Sequence, residues 1–157
     1  MVCQKSLRHF WMPYLEATLG GMIFLVALSS YDQFLEEEPT ENRMMDALQL
    51  FEGICKIEKV NHLPILLFLN KLDLFEEKIK VSSVKSHFNN FPAHQDEKNL
   101  KAGKNFFKSL FLEKNSNKER RIYSHFTSAT DTKLMKVIFI AVRDIIYKLN
   151  LSNSGLM

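Results

Sequence analysis

Two apolar runs, Met22 to Ser29 and Ile65 to Asn70, constrain the fold more than any other feature of the chain. Each is apolar at both parities, so neither reads as a strand with one wet face. Strands buried on both sides belong to parallel sheets covered by helices. The segments around them carry helical periodicity. Glu41 to Lys59 places Met44, Leu48, Phe51 and Cys55 on one stripe, with Thr40 as candidate N-cap. Leu72 to Lys80 reads as a short helix, and Asn99 to Lys114 as a longer one rich in Phe and Lys. Arg121 to Phe126 reads as the last strand, and Thr132 to Leu149 as a final amphipathic helix. Leu7 to Leu19 has helical character interrupted by Pro13, while Val81 to Asn99 is polar and shows no period. This alternation predicts an α/β fold with a mostly parallel sheet and flanking helices. No internal repeat or linker divides the 157 residues, which suffice for one core.

Composition removes several function classes. A net charge of +3, without a basic stripe interleaved with aromatics, gives no footprint for nucleic acid. His9, His62, His87, His94 and His125 show no ligand spacing, so no metal site is expected. Cys3 and Cys55 cannot build a disulfide framework, which fits a reducing, cytoplasmic setting. The longest apolar run, Met22 to Leu28, is far too short to span a bilayer, so no transmembrane segment is expected.

Asn70-Lys71-Leu72-Asp73 follows the second apolar run directly. An N-K-x-D box at the carboxyl end of a buried strand is how GTPases read guanine, and open α/β sheets place their ligands at that end. The aspartate can accept from the ring N1–H and the exocyclic amine, donors that adenine lacks. An unmet buried partner costs about 1–3 kcal/mol, more when charged. The asparagine can tie the site to neighbouring backbone, and the lysine stem can lie over the purine. Such a box arises by chance in roughly one or two chains per hundred of this length. The alternative is an exposed Asn-Lys followed by an Asp that caps a helix starting near Leu74. A second loop, Thr127-Ser128-Ala129-Thr130, follows the last strand. Its small side chains would let a base approach, and the Ala129 N–H is suited to the guanine carbonyl. The same loop also reads as an ordinary helix start with Thr130 or Asp131 as N-cap.

These blocks, taken in order, resemble the second half of the Ras-like domain of heterotrimeric G-protein α subunits. Met22 to Gln33 is similar to the strand leading into switch III, and Glu36-Glu37-Glu38 to its acidic loop. Asn42-Arg43-Met44 resembles the opening of the next helix. Ile65 to Glu77 resembles the guanine strand and its helix, and T-S-A-T-D-T at Thr127 to Thr132 resembles T-C-A-T-D-T. The resemblance implies a partial Ras-like fold and GTP or GDP as ligand. It implies a βγ dimer, a G-protein-coupled receptor and an effector as partners, at the cytoplasmic face of the plasma membrane. It makes Gly155 and Leu156 the receptor-facing tail, with Ser154 where the family carries the cysteine modified by pertussis toxin.

Residues 1–21 form a divergent switch II-like segment and residues 22–157 the well-matched part. Gln4-Lys5-Ser6-Leu7-Arg8 with Trp11 resembles the family's Q-R-S-E-R-x-x-W. Gln4 then stands at the position that orients the attacking water. Met1-Val2-Cys3 replaces D-V-G-G, so the magnesium-holding aspartate is missing. No G-x-x-x-x-G-K-[S/T] occurs in the chain, nor a switch I threonine or an arginine finger. Mg²⁺, expected for the family, therefore finds no ligands in these residues. An arginine finger alone contributes about 10³–10⁵ in rate. The expectation is of an N-terminally truncated member with a base pocket but little turnover by itself. The alternative is a nucleotide-independent module or decoy that binds receptor, effector or βγ.

Overall fold

A computed structural model describes residues 21–128 together with Lys136, Ile140, Arg143 and Tyr147. Three strands, β1 (Met22–Ala27), β2 (Ile65–Asn70) and β3 (Ile122–Phe126), form a parallel sheet in the order β1-β2-β3. Parallel neighbours need crossovers, and helices supply them. Helix α1 (Arg43–Cys55) lies between β1 and β2, while α2 (Leu72–Lys78) and α3 (Leu100–Glu113) lie between β2 and β3. This is the α/β arrangement expected, and it is consistent with part of a Ras-like fold.

The register shows how one face of the sheet makes the core. Phe24 pairs with Leu67 and Val26 with Leu69. With Ile65 they join a buried cluster that includes Phe51 of α1, Phe75 of α2 and Phe107 and Phe111 of α3. Side chains alternate between faces along a strand, so Leu66 and Phe68 point the other way, and both are buried as well. That explains the unbroken apolar run of β2. On β1 the residues of that second face, Ile23 and Leu25, are exposed at 49% and 64%. Burying a phenylalanine contributes about 1.5–3 kcal/mol, and the rings also meet edge to face. Phe24 and Phe51 lie 5.0 Å apart at 71°, and Phe51 and Phe111 5.4 Å apart at 82°.

Element limits differ from the sequence expectation where polar side chains intervene. β1 ends at Ala27, two residues early, because Leu28–Ser30 turns into a single 3₁₀ turn. Helix α1 starts at Arg43 with Asn42, not Thr40, as its cap: the Asn42 side-chain Oδ1 accepts from the Met44 and Met45 N–H groups at 2.8 and 3.2 Å. Asn99 caps α3 in the same way. The stretch 81–99 is built of turns, yet Val84, Phe88 and Phe91 are buried from it into the core. At the far end of the sheet, Arg120 donates through Nε to the Asn61 carbonyl at 2.8 Å and through Nη2 to that of Val60. The final helix expected over Thr132 to Leu149 lies outside the described residues apart from Lys136, Ile140, Arg143 and Tyr147, which are helical. Among the described residues no helix is long and apolar enough to cross a membrane.

Candidate functional site

The carboxyl ends of β2 and β3 stand side by side, because Leu69 and Phe126 are register partners. The residues that follow them must therefore meet. The Thr127 N–H donates to the Leu69 carbonyl at 2.9 Å, and the Leu72 N–H donates to the Thr127 carbonyl at 3.1 Å. The Thr127 hydroxyl donates to Asn70 Oδ1 at 3.1 Å. Two loops separated by more than fifty residues are thus laced into one unit, with Thr127 only 2% exposed. Oδ1 of Asn70 is held from one side, which leaves its amide as the donor toward a ligand or backbone.

Lys71 turns the chain. Its backbone sits in the left-handed region, φ 59° and ψ 41°, and it is the single non-glycine residue with positive φ among those described. Such a conformation costs roughly 1–2 kcal/mol and marks functional turns often enough to be informative. The reversal lets α2 begin at Leu72, directly at the strand end, with the Phe75 N–H donating to the Lys71 carbonyl at 3.0 Å. The helix therefore starts two residues before the point at which Asp73 would cap it. Asp73 lies in its first turn, half-buried, where the helix dipole favours a carboxylate. Lys71 is exposed, its stem free to cover a planar ligand. Behind β3, Lys104 Nζ lies 4.4 Å from the centre of the Phe126 ring, bracing the strand end from α3.

Of the residues singled out from sequence, the structure brings Asn70, Lys71, Leu72, Asp73, Thr127 and Ser128 to one end of the sheet. Ala129, Thr130, Gln4, Gly155 and Leu156 lie outside the described residues. Among the described residues no group of three or more His, Cys, Asp and Glu side chains is placed to hold a metal ion.

Sequence reasoning missed a cleft beside the box. It has a volume of about 430 Å³ and runs between Ser29 and Gln33 on one wall and Lys71, Leu74, Glu77, Lys78 and Val81 on the other. Polar contacts join the segments beside it. Lys78 Nζ donates to Asp32 Oδ1 at 2.6 Å and to the Ser29 carbonyl at 2.9 Å. The Tyr31 hydroxyl donates to the Ser82 carbonyl. Burial is the largest effect and pushes the Tyr31 phenol up; the Ser82 side chain opposes it by hydrogen bonding, and the nearby Asp32 charge adds to the rise. The phenol therefore stays a neutral donor. Asn42 Nδ2 in turn donates to the Tyr31 carbonyl at 2.6 Å, joining the cap of α1 to the same loop.

Comparison with known proteins gives one answer. A protein-family model described as G-protein alpha subunit matches residues 1–146. The guanine nucleotide-binding protein alpha-1 subunit of Mycosarcoma maydis is 38% identical over 154 residues, covering 98% of this chain. The G-protein complex alpha subunit gpaA of Aspergillus fumigatus is 40% identical over 154 residues, again 98% of this chain. The guanine nucleotide-binding protein alpha-1 subunit of Neurospora crassa is likewise 40% identical over 154 residues and 98% of this chain. The chain spans 42% of the length of each of these curated relatives.

Proposed function

The chain belongs to the G-protein alpha subunit family, and on that premise we propose that it binds GDP or GTP through its base and acts in receptor-coupled signalling. The observation that carries this reading is the lacing of the two loops by Thr127 to Asn70 and Leu72. In this proposal Asp73 accepts from guanine N1–H and the exocyclic amine. Asn70 ties the base edge to backbone, and the Lys71 stem covers the ring. Leu72 anchors the turn, and the Thr127-Ser128-Ala129-Thr130 loop offers the Ala129 N–H to the guanine carbonyl. The residues present fit a purine base: the turn at Lys71 is exposed and the Asp73 carboxylate sits at a helix start. The nucleotide would supply its own charged phosphates, for which these 157 residues carry no glycine loop.

The partners belong to the proposal too. A βγ dimer, a receptor contacting Gly155 and Leu156, and an effector meeting the Glu36 to Glu38 loop would act at the cytoplasmic membrane face. Gln4 would orient water wherever hydrolysis occurs, and Mg²⁺ would have to be held by groups other than these. Residues 1–157 would act as one partial G domain, with 1–21 as its divergent edge.

Titration of the purified chain with a fluorescent GDP analogue tests the base pocket. Saturable micromolar binding is expected, with Asp73→Asn weakening it and shifting preference toward the xanthine nucleotide. That shift follows because an amide can donate to the second xanthine carbonyl, where a carboxylate cannot. Absence of binding up to millimolar analogue would sink the reading. The alternative is a nucleotide-independent module that binds receptor, effector or βγ. Its mark would be competition for receptor by the chain with GDP binding absent.

A further inference from the structure

We propose that Lys78 is a positioning residue for the base box, clamping α2 to the end of β1 so that Lys71, Leu72 and Asp73 keep their geometry; this rests on the guanine-pocket reading above. Helix α2 has only seven residues, with the box at its first turn and Lys78 as its last residue. An isolated helix of that length does not hold itself together, so tertiary contacts must set its position. The contacts that do so differ at its two ends. At the start, the Leu72 N–H is tied to the Thr127 carbonyl. At the end, Lys78 is fastened at 2.6 Å to Asp32 and at 2.9 Å to the Ser29 carbonyl, just beyond β1.

The Lys78 side chain is only 28% exposed and that of its partner Asp32 16%, which favours a fixed bond over a solvated pair. Two donors of the ammonium meet a charged and a neutral acceptor on one loop, a geometry that a methyl group cannot replace. The neighbouring Tyr31 carbonyl is gripped by Asn42, whose side-chain Oδ1 caps α1. Arg43, the first residue of α1, pairs with Glu36 of the acidic loop at 3.2 Å. A continuous set of polar contacts thus runs from the acidic loop through Asn42 and the Ser29 to Asp32 turn to Lys78. The link joins two segments that the sequence separates by 46 residues.

Fluorescent GDP binding, amide exchange and thermal melts on the 157-residue chain and its variants give the test. Lys78→Met is expected to weaken GDP binding about tenfold, since small displacements of a positioning group are costly to a bound ligand. Lys78→Arg, which keeps the charge and the reach, is expected to restore most of the affinity. The melting midpoint of Lys78→Arg should match that of the parent. Asp32→Asn should fall between the two. A purely structural role would lower affinity and melting midpoint together, so the midpoint of Lys78→Met is expected to stay near the parent's while its affinity falls. In parallel, Lys78→Met should speed exchange at the Leu72 and Phe75 amides while leaving those of α1 unchanged. Affinity of Lys78→Met within twofold of the parent would overturn the proposal. So would unchanged exchange at Leu72 and Phe75, and that readout stands even if the parent binds no nucleotide. Failure of the pocket itself is recognised separately, by the parent chain not binding GDP.

Discussion

At Gly103, helix α3 passes α2 so closely that an added Cβ would stand 2.7 Å from Ile79 Cδ1 and 2.9 Å from Phe75 Cζ. Both neighbours are essentially inaccessible, at 1% and 0%, so neither side chain has space to yield. Alanine at an interior helix position gains about 1 kcal/mol over glycine. Overpacking a filled core costs about 1–3 kcal/mol, and here two ring and methyl contacts must shift together. Gly103→Ala is therefore expected to destabilise the chain by about 1 kcal/mol, lowering the melting midpoint by about 2–4 °C for a domain of this size. A thermal melt followed by circular dichroism checks it, and a raised midpoint would show that α2 can move aside. The residue was legible only as a glycine inside a helix pattern. Its reason, the close approach of Phe75, depends on a packing partner that no local pattern contains.

Between elements, the clearest electrostatic contact ties α1 to the end of α3. Glu52 meets Lys56 one turn on at 2.7 Å and Lys114 at 2.8 Å. The Lys114 hydrogen bond, then that of Lys56, holds the Glu52 carboxyl down at about 2 against an ordinary 4.5. A carboxyl depressed in the folded state contributes stability above its unfolded value and loses it as pH falls. The contribution should be complete above about pH 4.5 and vanish toward about pH 2. Comparing melting midpoints of the parent and Glu52→Gln across that window tests it, and the gap between them should close on acidification and narrow in high salt. Elements themselves were read well where a single force dominates. Ile65–Asn70 matches the expected strand to the residue, because five successive positions buried on both faces leave no ambiguity. Helix α3 likewise runs from Leu100 to Glu113 inside the expected span. The start of α1 slid two residues because Asn42, not Thr40, has its side-chain oxygen over the Met44 and Met45 amides. The 81–99 stretch gave no period since Val84, Phe88 and Phe91 reach the core from turns. At the site, the Asn70 to Asp73 turn and the place of Thr127 after the last strand were legible from their motifs. The Thr127 to Asn70 bond and the Lys78 clamp were not, because parallel pairing and crossovers create neighbours that sequence distance hides.

At the scale of the whole molecule, β1 is the weak point of the surface. Among the described residues it has one hydrogen-bonded neighbour, β2, and its six residues Met22 to Ala27 carry no charge. Ile23 and Leu25, on the face opposite the phenylalanine core, are exposed at 49% and 64%. Soluble sheets guard their edges with lysine, proline or bulges, and none of these occurs in β1. An uncharged six-residue segment of high β-propensity is also what pairs readily with its own copies. The expected outcome is concentration-dependent self-association of the purified chain, seen as rising weight-average mass in sedimentation velocity. Leu25→Lys puts a charge on the exposed face without touching the buried cluster, to which Phe24 and Val26 belong. Exposed substitutions of this kind shift stability by no more than about 0.5 kcal/mol. The variant should therefore melt with the parent while remaining monomeric at concentrations where the parent does not. If Leu25→Lys instead lowered the melting midpoint by several degrees, the side chain would be covered by other parts of the same polypeptide. The surface at β1 would then be an intramolecular contact, and self-association would have to arise elsewhere.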